Sequence, residues 1–132
     1  MKRFLIPMTV IGLLAGCSIP PEKKSAREQS LKVTADDFIQ HITQDDWAGA
    51  YGMTEAGLDG PEEFKESLKR TWVNDAVLTG GVISSMAWVS DDTAKVKVNW
   101  SFQSGTVPSY SSETYAWAWK NKTWIYKGRV LR

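Results

Sequence analysis

The stretch Ala94-Lys95-Val96-Lys97-Val98-Asn99-Trp100-Ser101-Phe102-Gln103 alternates apolar and polar residues without a break. Successive side chains of a strand point to opposite faces, so Ala94, Val96, Val98, Trp100 and Phe102 share one side and Lys95, Lys97, Asn99, Ser101 and Gln103 the other. One face of this strand is therefore buried and the other meets water. Before it, Ser90-Asp91-Asp92-Thr93 has the composition of a hairpin turn, and Val77 to Val89 reads as a long strand with a bulge at Gly80-Gly81. After it, Ser104 to Ser109 reads as a loop and Tyr110 to Lys120 as a third strand. Asn121 marks a tight turn, and Thr123 to Val130 is the last strand.

Upstream of Asn74 the apolar period lengthens to that of helices. Pro61 at a first helical position follows Gly60 or Asp59 as cap. Glu62 and Glu63 then face the positive end of the macrodipole, and Lys69 and Arg70 its negative end. Phe64, Leu68 and Trp72 give this helix one apolar stripe. A shorter helix carries Trp47, Ala50 and Tyr51 behind Asp45 or Asp46 as cap, and ends at Gly52 or Gly57. The first helix carries Ala35, Phe38, Ile39 and Ile42 at spacings of three and four. Thr34 and Asp37 have the spacing of a capping box and Val33 and Phe38 that of a hydrophobic staple, which places the start near Val33. Ala26 and Leu31 would extend the stripe to a start as early as Ser25.

The N-terminus is different in kind. Lys2 and Arg3 precede an apolar stretch from Phe4 to Leu14, and a bilayer-spanning helix needs about 20 such residues, so this one is too short to span. Leu14-Ala15-Gly16-Cys17 resembles the lipobox of bacterial lipoproteins at every position. That resemblance implies cleavage after Gly16, diacylglyceryl attachment to the Cys17 sulfur, and often acylation, such as palmitoylation, of the new amine. Two or three chains hold a protein in a bilayer where one does not. Ser18 stands where lipoproteins of the inner membrane typically have Asp. The implied address is the outer membrane, facing the periplasm, in a two-membrane host, and otherwise the outer face of the plasma membrane. Residues 1–16 are then the signal, 17–30 a lipidated, polar tether, and 31–132 a single domain.

Removing Lys2 and Arg3 leaves 14 basic against 15 acidic side chains, a balance that disfavours nucleic acid as a partner. The signs are unevenly spread. From Ser18 to Thr93 there are 7 basic and 14 acidic residues, and from Ala94 onward 7 basic and only Glu113 acidic. Lys95, Lys97, Lys120, Lys122, Lys127 and Arg129 thus form a candidate basic face for an acidic envelope protein or for anionic headgroups.

Three helices followed by a four-stranded antiparallel meander make an α+β layout, with the helices covering one face of a curved sheet. The order and spacing of Ala35 to Ile42, Asp45 to Tyr51, Glu62-Glu63-Phe64 and Trp124-Ile125-Tyr126 resemble the nuclear-transport-factor-two-like superfamily, a cystatin-like cone. The resemblance implies a half-open cone and covers enzymes, assembly modules and small lipoproteins alike, so the function must come from the residues. Trp100, Phe102, Glu113, Tyr115, Trp117 and Trp119 are the candidate lining of such a cone. Of these only Glu113 ionises near neutral pH, and its plain reading is an exposed strand-end carboxylate. His41 reads as an exposed partner of Asp37 four residues earlier, and as the natural acid/base were it to point inward. Metal ligands, nucleophile elbows and phosphate loops have no counterpart, so no cofactor or metal is expected. The expectation is a membrane-anchored envelope lipoprotein whose noncatalytic domain binds a protein partner or serves as an assembly module. The alternatives are a carrier of a small apolar ligand, and an isomerase- or dehydratase-like enzyme using Glu113 and His41.

Overall fold

A computed structural model describes residues 20–55, 60–72 and 75–130; the expected cleavage and acylation positions, Gly16 and Cys17, lie outside the described residues. Three helices, α1 (Pro21–Thr43), α2 (Trp47–Tyr51) and α3 (Pro61–Lys69), precede four strands, β1 (Val77–Ser90), β2 (Thr93–Ser104), β3 (Val107–Lys120) and β4 (Thr123–Arg129). The strands form one antiparallel sheet in the order β1-β2-β3-β4. No described helix is long and apolar enough to cross a membrane.

The alternation in β2 appears as read: Ala94, Val96, Val98, Trp100 and Phe102 are buried, and Lys95, Lys97 and Gln103 are exposed. Tyr115 and Trp117 join the inner side from β3, and Trp124 and Tyr126 from β4. Phe38 of α1 fills the centre, stacked on Tyr126 at 4.7 Å and edge-on to Trp117 at 5.3 Å. Inside it, the Trp100 indole N–H donates to the Tyr115 hydroxyl at 2.8 Å, which satisfies a polar group that would otherwise be costly to bury. Gly81 pairs with Trp100, and a Cβ there would sit 2.7 Å from the indole, so this glycine admits the ring. The irregularity expected at Gly80-Gly81 lies just before it, between Leu78 and Gly80, with two more further along β1. Such bulges increase the local twist and curl the sheet around the helices.

The β2–β3 connection is tighter than a loop. Ser104 pairs with Val107, leaving Gly105 and Thr106 as a two-residue turn, and Gly105 takes the positive φ of 63° that its first central position requires. Asn121 and Lys122, both at positive φ, make the corresponding turn between β3 and β4.

Helix α1 departs most from expectation. It begins at Pro21, behind Pro20 as N-cap, so the ten residues Pro21–Ser30 expected in the tether are helical. Thr34 and Asp37 therefore cap nothing, and Val33 is 61% exposed instead of stapling Phe38. The reason is tertiary. The Arg27 guanidinium lies 5.1 Å from the Trp119 ring centroid and donates to the Asp91 carbonyl at 3.0 Å, while the Trp124 indole donates to the Arg27 carbonyl at 2.9 Å. One turn earlier, the Lys24 ammonium stands 5.3 Å from the Trp88 ring. Cation–π contacts of roughly 0.5–1 kcal/mol each, added to good helix formers, hold a polar half-helix that has no apolar stripe.

Candidate functional site

The residues nominated by the sequence fall into three places. The aromatic set Trp100, Phe102, Tyr115 and Trp117 fills the cone as core, and Trp119 is half-buried beside it. A cavity of about 180 Å³ opens between α3 and β4, bordered by Glu63, Phe64, Ser67, Tyr115, Tyr126 and Arg129. Burial pushes both the Tyr115 and Tyr126 phenols well above their ordinary range, so neither ionises near neutrality.

His41 and Glu113 each have their own partners. His41 Nδ1 lies 2.9 Å from Asp46 Oδ2, not against Asp37 as the helical spacing predicts. Asp46 caps α2 by accepting from the Gly49 N–H at 3.0 Å, and this bond, then His41, holds its carboxyl below the ordinary aspartate value. A Cβ on Gly49 would come within 2.6 Å of both side chains, so a larger residue there would displace this pair. Glu113 is not a solvated strand end: its side chain is only 15% exposed. It accepts from the Thr71 hydroxyl at 2.7 Å and faces Arg129 Nε at 4.0 Å. Among the described residues no three His, Cys, Asp or Glu side chains converge as a metal site.

The basic set is divided. Arg129 turns inward: a bulge with Gly128 at φ 120° brings it opposite Tyr115, where Nη2 donates to the Ser67 carbonyl at 3.1 Å and Nη1 to Thr71 at 3.3 Å. It ties β4 to the C-terminal end of α3, where the helix dipole favours a cation. Lys127 pairs with Glu55. Lys120 and Lys122 lie at the β3–β4 turn, whereas Lys95 and Lys97 stand on the outer face of the sheet with no ion-pair partner among the described residues.

Lys95 and Lys97 nevertheless share a site. An open groove of about 870 Å³ is lined by Arg70 and Thr71 after α3, Glu113 and Arg129, and Lys95, Lys97, Ser112, Thr114 and Val130. It therefore carries four cations and one carboxylate, that carboxylate already engaged. Beside it β4 pairs with β3 only from Tyr115 to Lys120, and Val130 adds one bond to the Thr114 carbonyl. From Val107 to Glu113, β3 has no neighbour on that side among the described residues. Arg70 and Thr71 are members that sequence reasoning missed, since only the chain's return across the sheet brings the end of α3 to β3.

This arrangement can be set beside known structures. A crystal structure of an NTF-2-like protein of unknown function from Shewanella oneidensis matches with a TM-score of 0.55 over 76% of this chain and 93% of that one, at 10% identity. The fold is nuclear-transport-factor-two-like. A SEC-C motif containing protein from Rhodopseudomonas palustris matches with a TM-score of 0.52 at 11% identity, over 70% of this chain and 71% of that one. No family model matches the sequence, and no curated protein matches it. At such identities the likeness extends to the fold alone, as the sequence pattern had suggested, and the nuclear-transport-factor-two-like frame leaves function to the side chains.

Proposed function

We propose that this nuclear-transport-factor-two-like protein is a noncatalytic cell-envelope lipoprotein, anchored through acyl chains on Cys17, whose domain binds an extended acidic segment of a protein partner. The observation that carries the reading is the basic groove beside the unpaired stretch of β3. A free strand edge offers main-chain hydrogen bonds to an added strand, and side-chain charge beside it selects the sign of what is added. Arg70, Lys95 and Lys97 supply that charge, while Arg129 is occupied in holding the fold.

Two features weigh against the alternatives. The inner cavity of about 180 Å³ is small beside the roughly 300–1,000 Å³ of pockets for drug-sized ligands, which ranks the carrier reading second. An acid/base pair needs two groups aimed at one substrate, whereas His41 is bound to Asp46 and Glu113 to Thr71. The anchor rests on the lipobox, and with it the periplasmic face of the outer membrane, or the outer surface of a single-membrane cell, as the address.

Two measurements test the proposal. Crosslinking in intact cells should capture a partner with the native protein, and Lys95→Glu/Lys97→Glu should lose it, with native recovery falling as salt rises. Equal recovery by both proteins would remove the groove as the binding surface. Mass spectrometry should find the mature chain starting at an acylated Cys17, and Cys17→Ser should accumulate as precursor. A native N-terminus elsewhere would refute the anchor.

A further inference from the structure

We propose that the domain stands end-on at the membrane, with the β1–β2 and β3–β4 turns facing the headgroups and the β2–β3 turn pointing away; this rests on the Cys17 anchor proposed above. Its basis is where α1 starts. Only three residues separate Cys17 from Pro21, a connection that reaches at most about 14 Å. A long tether would leave orientation free, and this one does not.

The helix then fixes which end is held. Lys24 and Arg27 contact Trp88, Asp91 and Trp119, all at the end of the sheet that carries the β1–β2 and β3–β4 turns. From there α1 runs inward, so that Ile39 reaches the vicinity of Gly81 in the middle of β1. Pro21 therefore lies about 9 Å further out than Arg27, beyond the turns. The opposite turn, Gly105–Thr106, is separated from this end by the 12 residues of β2, about 40 Å at strand rise. Helical overhang and connector together are shorter than the strand.

The chemistry of the held end suits an interface. Trp88 and Trp119 are half-buried, each under a cation, and aromatic rings with snorkelling basic side chains are what the headgroup layer accommodates. Lys23, Lys24, Arg27, Lys120 and Lys122 are nearly balanced by Glu22, Glu28, Asp91 and Asp92. Seating thus needs no anionic lipid and does not respond to salt, unlike partner binding at Lys95 and Lys97. The free edge of β3 from Val107 to Glu113 begins at the distal turn, presented away from the bilayer.

The sequence lends itself to a test because it has no cysteine besides Cys17, so a single introduced thiol labels one place on the acylated protein. Asp92→Cys and Thr106→Cys, both exposed, are spin-labelled in the full lipidated protein and reconstituted in phosphatidylcholine vesicles containing a nickel-chelating lipid. The label at position 92 should be relaxed severalfold more strongly than that at 106, equally at low and high salt. A spacer of about ten Gly/Ser residues inserted before Pro20 should erase the difference. If the protein carries its acyl mass and floats with the vesicles, yet both labels respond alike or 106 responds more, the orientation is wrong and the anchor stands. If neither acyl mass nor flotation is found, the anchor itself falls.

Discussion

Strands β2 and β3 have two faces made by one alternation and used in opposite ways. On the inner face, Trp100 and Phe102 lie beside Tyr115 and Trp117 under α1, next to a cavity of about 180 Å³. On the outer face, Lys95, Lys97, Ser112 and Tyr110 stand in solvent, Tyr110 at 73% exposure. The contrast separates the side that stabilises the fold from the side that is left in solvent. A cone filled with aromatic rings holds the sheet rigid, and the chemistry left to vary lies on its back and along its free edge.

The comparison is broken most severely from the inside. Trp100→Ala removes a fully buried indole and leaves the Tyr115 hydroxyl without its donor, and should cost about 3–5 kcal/mol in chemical unfolding. Gly81→Ala attacks the same contact by addition. Its Cβ meets the Trp100 ring at 2.7 Å and Ile39 at 3.1 Å, and overpacking of this kind should cost about 1–3 kcal/mol. A thermal scan showing no loss for either would mean that the inner face is not the rigid side.

Between the faces, the Asp46 cap offers a smaller and pH-dependent effect. Its carboxyl is held below the ordinary aspartate value in the folded state, so its contribution is complete above that value and lost as pH falls through the lower folded one. Asp46→Ala should therefore lower the thermal midpoint at neutral pH, and the gap to the native protein should close as pH falls below the ordinary aspartate range. A gap that is unchanged in acid would assign the effect to something other than the carboxylate. Smallest of all in stability is Lys95→Glu/Lys97→Glu, which should stay within about 0.5 kcal/mol of the native protein while abolishing partner capture. A large loss of stability would show that the outer face is part of the scaffold.

Where residues answer to their own neighbours in sequence, the fold was legible. The parity of Ala94 to Phe102 and the Gly60-Pro61 start of α3 are local statements, and the structure repeats them. The first half of α1 was only partly legible: Ala26 and Leu31 allowed a start at Ser25, but the polar run from Pro21 is held as a helix through Trp88, Trp119 and Trp124, more than sixty positions away. The candidate site was only partly readable for a related reason. Simple alternation from Trp124 and Tyr126 puts Arg129 outside with Lys127, and the single extra residue at the Gly128 bulge reverses it. His41 was drawn from Asp37 to Asp46 by a turn whose geometry, with Asp45 at φ 62°, no periodicity encodes.

The clasp between Arg27 and Trp124 has a consequence for the order in which the molecule is built. The two residues are 97 positions apart, so the outer half of α1, which meets Trp88 and Asp91 once β1 and its turn exist, lacks its last contact until β4 has been made. Contacts of such separation close late and slowly. With β1, β3 and β4 all needed to complete the surface under α1, a chain cut off before Thr123 should have no native state to reach. Completion of β4 then becomes the event that commits the polypeptide to its fold.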